Sequence, residues 1–293
     1  MDIKYNANCY RFENIKYTEG ILDKTVDCTY VIHLENNGRI SHVRSELDKI
    51  KPTKNCFIVF NKGFKNCNKK LIDQASYQDL SDAFLQCFRH ANENNYGNIL
   101  ILEDDFIFNE EIKNTYNVNN IELFLNSRKN DSFVYFLGLI PIISYPMDVN
   151  IIHYRVLNSL TMHSAIYSKE CVRNVEKLRL HYKHWDVIIS KSISDRYFYC
   201  KPLCYQTFPE TDNRKSWGEK DSTNLVNHVK TLVISSLNMD DSPEPGFSII
   251  YFISKLFFVL SIFIIVLFVF YAAKLTRKYV KKYSINNYLY KIF

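Results

Sequence analysis

The sequence predicts an α/β fold: a mostly parallel sheet flanked by helices, followed by one C-terminal transmembrane helix. Three observations predict it. Short β-branched and aromatic runs alternate with segments of helical periodicity. The helical segments are long enough to return the chain across a sheet, as right-handed parallel crossovers require. Finally, Leu256–Ala273 is 18 residues without a charge.

In chain order, residues 1–26 read as an N-terminal extension, and "CTYVIHL" (Cys28–Leu34) as a buried strand. Ile40, Val43, Leu47 and Ile50 then recur at helical spacing, and "CFIVF" (Cys56–Phe60) is a second strand. Leu80, Ala83, Phe84, Cys87, Phe88 and Ala91 line one face of an amphipathic helix from Ser76 to about Asn94, which Asn95-Tyr96-Gly97 ends. The apolar run Asn98–Leu102 supplies a third strand and "SFVYFLGLI" (Ser132–Ile140) a fourth. Ser168 is placed to cap a helix carrying Val172, Val175 and Leu178. "DVIISKSI" reads as another helix, Arg196–Tyr205 as a strand, and the stretch from Gln206 to Asp221 as a loop. Residues 27–236 then form the folded body, 237–246 a linker, 247–273 the membrane segment and 274–293 a tail.

With 47% hydrophobic and 15% aromatic residues in 293, the chain builds a large core. The net charge of +6 does not indicate nucleic acid. Six basic residues and no acid fall in the tail, leaving 31 basic against 31 acidic residues before it. Eight cysteines contain no CxxC pair, so a zinc site is not expected; Cys28, Cys56 and Cys87 fall within apolar patterns, as buried free thiols do. The even number leaves disulfides open.

The uncharged segment spans about 27 Å as a helix, enough for a thin bilayer. No face of it is polar, which argues against a buried core helix. Its upstream flank, Met239–Gly246, is acidic and its downstream flank basic, so the positive-inside rule puts the tail in the cytosol. The first dozen residues show no apolar signal-peptide core, which pulls the other way and leaves the side of the body open. One glycosylation sequon, Asn130-Asp131-Ser132, does not decide it.

Glu103, Asp104 and Asp105 follow the third strand directly. In open α/β sheets, ligands bind beyond the carboxyl ends of the strands. Alternation along an extended chain puts Glu103 and Asp105 on one face and Asp104 on the other. Adjacent carboxylates repel and are stable together when a cation or strong donors compensate; oxygen-only ligation suits Mn²⁺ or Mg²⁺ beside substrate phosphates. The same residues also read as a solvated turn closing a strand.

"GNILILEDDFIF" (Gly97–Phe108) resembles the acidic motif of glycosyltransferase family 25, the lipopolysaccharide and collagen glycosyltransferases. Further segments fall in that family's order: "YVIHLENNGRISHVRSEL" (Tyr30–Leu47), "LSDAFLQCFRHANENN" (Leu80–Asn95), "TMHSAIYSKECVRNV" (Thr161–Val175), "HWDVIIS" (His184–Ser190) and "KPLCYQT" (Lys201–Thr207). The resemblance covers roughly residues 27–210. It departs from the family at His33, where Asn is usual, at Arg39, displaced by about one position, at Asp82, where His is usual, and at Trp185 before Asp186.

The resemblance implies a GT-A-like, Rossmann-type domain that moves a hexose, galactose or glucose, from a UDP-sugar donor to a hydroxyl of a glycan, lipid or protein. It implies Mn²⁺ or Mg²⁺ held by Asp104 and Asp105, donor contacts from His33, Arg39, Glu103 and Asp104, and Asp186 as the catalytic carboxylate near the acceptor. The alternative is a catalytically inactive relative serving as a carbohydrate-binding or scaffold module. A phosphotransferase using the same acids is disfavoured because no glycine-rich phosphate loop is present. Among the remaining candidates, His163 reads as structural rather than sugar-binding, and His181 with His184 as a basic surface rather than a metal pair. Trp217 suits sugar stacking or core packing equally, and the basic tail suits anionic lipid.

Overall fold

The computed structural model describes residues 2–208, 232–240 and 242–289. The stretch holding Trp217 lies outside them. The fold is mixed α/β. A seven-stranded sheet runs in the order β1-β3-β2-β4-β7-β6-β8, with a separate β5–β9 ribbon.

At the heart of the sheet, β2 (Cys28–Leu34) lies parallel to both β3 (Asn55–Asn61) and β4 (Ile99–Glu103). The connecting helices α2 (Ile40–Ile50) and α3 (Ser76–Glu93) cover opposite faces. Val43 and Leu47 of α2 join the core layer of Val31 and Leu100, whereas Phe84 and Phe88 of α3 join that of Tyr30 and Ile101. Side chains alternate across the sheet as the two-residue period demands. Asn95, at φ 55°, ends α3 in the left-handed region, where Asn is among the tolerated residues.

The sheet is not mostly parallel. A long hairpin of β6 (Val134–Pro146) and β7 (His153–Tyr167) inserts β7 antiparallel between β4 and β6. β8 (Arg196–Tyr199) then runs parallel to β6, and its other edge takes the start of β7. The expected strand Arg196–Tyr205 is broken at Lys201-Pro202, since proline has no ladder donor. Its second half becomes β9 (Cys204–Gln206), which pairs with β5 (Phe106–Phe108) just past the acidic residues. Part of the expected N-terminal extension is β1 (Tyr10–Lys16), antiparallel on the edge of β3 with a half-exposed alternating pattern.

α4 (Thr115–Ser127), absent from the sequence reading, is capped by the Asn114 side chain accepting from the Tyr116 N–H. Ser168 does cap its helix, but α5 (Lys169–Arg173) stops at Asn174, so Val175 and Leu178 lie beyond it. α6 (Trp185–Ser192) follows; its buried Trp185 stacks on Phe84 with centroids 4.6 Å apart and donates to the Tyr167 hydroxyl at 2.8 Å.

Cys9 and Cys67 form a disulfide that ties the start of the chain to the loop after β3. The other six cysteines are free, and none is exposed. The bridge spans 58 positions, for which the chain-entropy model gives about 4 kcal/mol, at the top of the typical range of about 2–4 kcal/mol. Cys9→Ser should therefore lower the melting temperature by several degrees, and reductant should lower the wild-type protein to match. A variant melting like the oxidised wild type would remove the bridge from the stability of this corner.

The C-terminal helix runs Gly246–Leu289. Its opening turns pack on the body through buried Phe247, Ile250, Tyr251 and Ser254, and most apolar residues from Leu256 to Tyr279 are exposed. By length and composition, Gly246–Tyr279 is sufficient to cross a membrane.

Candidate functional site

The site forms where β2 and β4 end side by side, with Ile32 opposite Glu103. After β2 the chain reverses through Asn36 and Gly38, both at positive φ (65° and 79°), and this turn aims Asn37 back at the end of β4. Asn37 Oδ1 accepts from the Arg39 N–H at 3.0 Å, which fixes the entrance of α2.

Asp104 is the centre of this corner. One carboxylate oxygen takes the Leu34 N–H at 3.2 Å, the Asn37 amide, and His33 Nδ1 at 2.9 Å. The other takes Arg39 Nη1 at 2.7 Å. Burial opposes ionisation, but His33, Arg39 and Asn37 outweigh it and hold this carboxyl below its usual range. His33, Arg39 and Asp104, three of the residues picked out from sequence, thus form one network. Both Asp104 oxygens are already engaged by protein donors.

Asp105 differs. It is equally buried, yet among the described residues the only side chain that donates to its carboxylate is the neutral Gln206 amide, at 3.1 and 3.3 Å. Burial and then the adjacent Asp104 charge push its pKa up to about 7, offset in part by Gln206 and Arg39. The β5–β9 ribbon positions the pair: the Thr207 N–H reaches the Asp105 carbonyl at 3.0 Å, so the strand carrying Gln206 is stitched to the acidic turn. Gln206 Oε1 is buried and has no hydrogen-bond partner among the described residues. A carboxylate and an amide oxygen are hard donors of the kind Mn²⁺ and Mg²⁺ accept, and here the amide nitrogen faces the carboxylate, so the amide would have to turn for both oxygens to meet one ion. Among the described residues no three His, Cys, Asp or Glu side chains converge as a full metal cage. A cation here would depend on oxygens from elsewhere, such as a diphosphate.

Glu103 lies on the opposite face from Asp104, by the alternation of β4. Asp186 stands in the first turn of α6, where the helix dipole favours a carboxylate. Burial raises the Tyr167 hydroxyl well above its ordinary pKa, and the charges of Asp186 and Glu103 raise it further. Both carboxylates therefore lie within electrostatic reach of one buried hydroxyl, on the α3 and α6 side of the sheet.

The other candidates go to structural places. His163 is fully buried, with Nε2 donating to the Cys204 carbonyl at 3.2 Å, and burial pushes its pKa down to about 4, so it is neutral. A Cβ at Gly138 would stand 2.4 Å from this Nε2 and 2.0 Å from the Cys204 oxygen, so only glycine lets β6 pass there. His181 ends up in a short 3₁₀ turn and His184 precedes α6, stacked on Tyr77 at 4.2 Å; they share no helix face. Asp82 is buried on α3, accepting from Asn6 and Tyr10. Sequence reasoning assigned no role to Asn37 or Gln206. The Asn36-Asn37-Gly38 turn is the signal that could have found the first; the second falls in the Lys201–Thr207 segment of the family resemblance, but nothing local ties it to a partner 101 positions away.

No known family model matches the chain, and no curated protein matches it. Among solved structures it is similar to A197 from STIV, at 10% identity and TM-score 0.40, over 63% of this chain and 86% of that one. It is also similar to a putative glucose-1-phosphate thymidylyltransferase from Bacillus anthracis in complex with a sucrose, at 9% identity and TM-score 0.31, over 60% of this chain and 69% of that one.

Proposed function

We propose that the chain is a membrane-anchored, metal-dependent glycosyltransferase. In this reading residues 27–236 form a GT-A-like domain, 247–273 the span and 274–293 a basic cytosolic tail. It moves a hexose from a UDP-sugar to a hydroxyl of a glycan, lipid or protein. The observation that carries the reading is the contrast within the acidic turn. Asp104 is fully used in holding the turn, whereas the buried Asp105, at the end of a central strand, takes its side-chain hydrogen bonds from a neutral amide whose oxygen has no partner among the described residues.

Asp105 and Gln206 Oε1 would hold Mn²⁺. When bound, the ion supplies Lewis-acid neutralisation of a leaving diphosphate. Arg39 is partly exposed, and the N–H groups it does not spend on Asp104 are free to face an anionic donor. His33 and Asn37 keep the β2 turn closed on Asp104 and so fix where that guanidinium stands. Asp186, half-exposed, is assigned to accept the proton of the acceptor hydroxyl. The charge flanking the span supports a cytosolic tail. The Cys9–Cys67 bridge supports a body on the oxidising side.

A panel of UDP-sugars, with and without Mn²⁺, tests the function. At least one donor should release free nucleotide only when Mn²⁺ is present, and Asp105→Ala should reduce that release to background. Donor binding without release under any condition would favour the inactive, carbohydrate-binding module, a reading supported by the engagement of both Asp104 oxygens. A panel with neither binding nor release would sink both.

A further inference from the structure

The C-terminal helix and β6 run in the same direction. Phe247 meets His163 with ring centroids 5.5 Å apart, at the level of Gly138 on β6. Seven residues further along the helix, Ser254 meets Ser144 at 3.1 Å. Lys255 is held at this level too, its ammonium donating to the Cys200 carbonyl and lying 5.5 Å from the centre of the Tyr154 ring. Moving toward the apolar helix thus also moves toward the tip of the β6–β7 hairpin.

The last ladder pair of that hairpin is Pro146 with Tyr154, two positions beyond Ser144. Two residues of strand advance roughly 7 Å, which the helix covers in about five residues. The tip therefore stands level with the exposed apolar surface that starts at Leu256.

Its composition fits that level. From Ile140 to Tyr154 the one charged residue is Asp148. Asp148 is turned inward onto the tip's own backbone, accepting from the Ile152 and His153 N–H groups at 3.0 and 3.1 Å. Val149 is 98% exposed, and Ile143, Ile151 and Leu157 are each more than half exposed. A tip that satisfies its only charge internally while presenting aliphatic side chains outward is poorly suited to water.

We propose that this hairpin tip inserts into the boundary between headgroups and acyl chains of the bilayer, beside the emerging helix. The proposal rests on the reading of that helix as a membrane span. The occupant is a phospholipid surface, because the exposed face of the helix continues directly into the hairpin. Two contacts, rather than one, then fix the tilt of the body on the membrane.

Single tryptophans report the depth. The full chain is reconstituted into phosphatidylcholine vesicles, plain or carrying bromine either near the headgroup end or near the methyl end of the acyl chains, so that both depths are covered. Val149→Trp probes the tip, and Phe263→Trp the centre of the span. Ile72→Trp is an exposed control in the loop next to the disulfide corner, by the opposite edge of the sheet. The added emission of Val149→Trp should be blue-shifted and mostly lost in brominated vesicles, while that of Ile72→Trp stays unchanged. If Val149→Trp behaves like Ile72→Trp while Phe263→Trp is quenched, the hairpin proposal is overturned and the span stands. If Phe263→Trp also escapes quenching, the span and the hairpin proposal fail together. Since Val149 makes almost no contact with the rest of the fold, its replacement leaves the body intact.

Discussion

Asp105→Asn should yield a protein that is inactive and, above neutral pH, more stable than the wild type. The unfolded chain releases this proton near 3.8, whereas burial and the Asp104 charge hold it in the folded state up to about 7. Below about pH 4 both states are protonated and the residue is neutral with respect to folding. Between those values the native state binds the extra proton, so stability falls as pH rises; above 7 the full penalty of a buried, poorly compensated carboxylate is present. The interval corresponds to at most about 4 kcal/mol. Thermal unfolding in detergent with chelator should show Asp105→Asn melting several degrees higher at pH 8 and level with the wild type near pH 4. A gain that ignores pH, or a loss at pH 8, would refute the assignment. With Mn²⁺ in place of chelator the wild type should recover the difference at pH 8 and the variant should not, since a divalent cation compensates the charge that asparagine lacks.

Lys69→Ala should be among the most destabilising single changes in the body. Lys69 is almost fully buried next to the disulfide, and its ammonium donates to Asp79, to Asn61 Oδ1 at 2.6 Å and to the Tyr10 hydroxyl at 2.7 Å. Burial lowers its pKa, against the pull of Asp79. Tyr10 in turn donates to Asp82 at 2.7 Å, whose own carboxyl is raised by burial. Removing the cation strands Asp79 in the interior, a change that costs about 3–5 kcal/mol. Pairing Lys69→Met with Asp79→Leu should recover much of the loss, because Asp79 is no longer stranded and the carboxylate that remains, Asp82, keeps Asn6 and Tyr10 as donors. Chemical denaturation measures both. A Lys69→Ala cost below about 1 kcal/mol would show the ion pair to be energetically idle.

What could be read from the sequence was local. α2 and α3 follow from apolar spacing alone, and β2, β3 and β4 from short β-branched runs between turn signals. The acidic residues were placed at a strand end because hydrophobicity stops there abruptly. β7 was not seen: its stretch His153–Tyr167 mixes Asn, Ser, Thr and His with apolar residues, and its burial comes from neighbours on both sides rather than from its own pattern. Missing it also misjudged the direction of the sheet. The different fates of two neighbouring aspartates were equally hidden. Asp104 is satisfied by residues 65 to 71 positions earlier and Asp105 by one 101 positions later, and composition records neither distance.

The separation between Asp105 and Gln206 also bears on how the protein is made. Parallel strands β2, β3 and β4 emerge from the ribosome early, and with them the β2 turn that holds Asp104, but Asp105 still lacks Gln206. β7 must be synthesised before β4 gains its second neighbour, and β9 only follows some forty residues after β7 ends. Non-local pairings of this kind close late, since loop entropy is lost before contacts compensate it. Asp105 thus waits while the 101 positions up to Gln206 are made, and its carboxylate gains this partner only when the ribbon closes, whereas Asp104 already has its donors from the β2 turn. Completion of the site therefore waits on β9, long after the parallel strands that frame it are made.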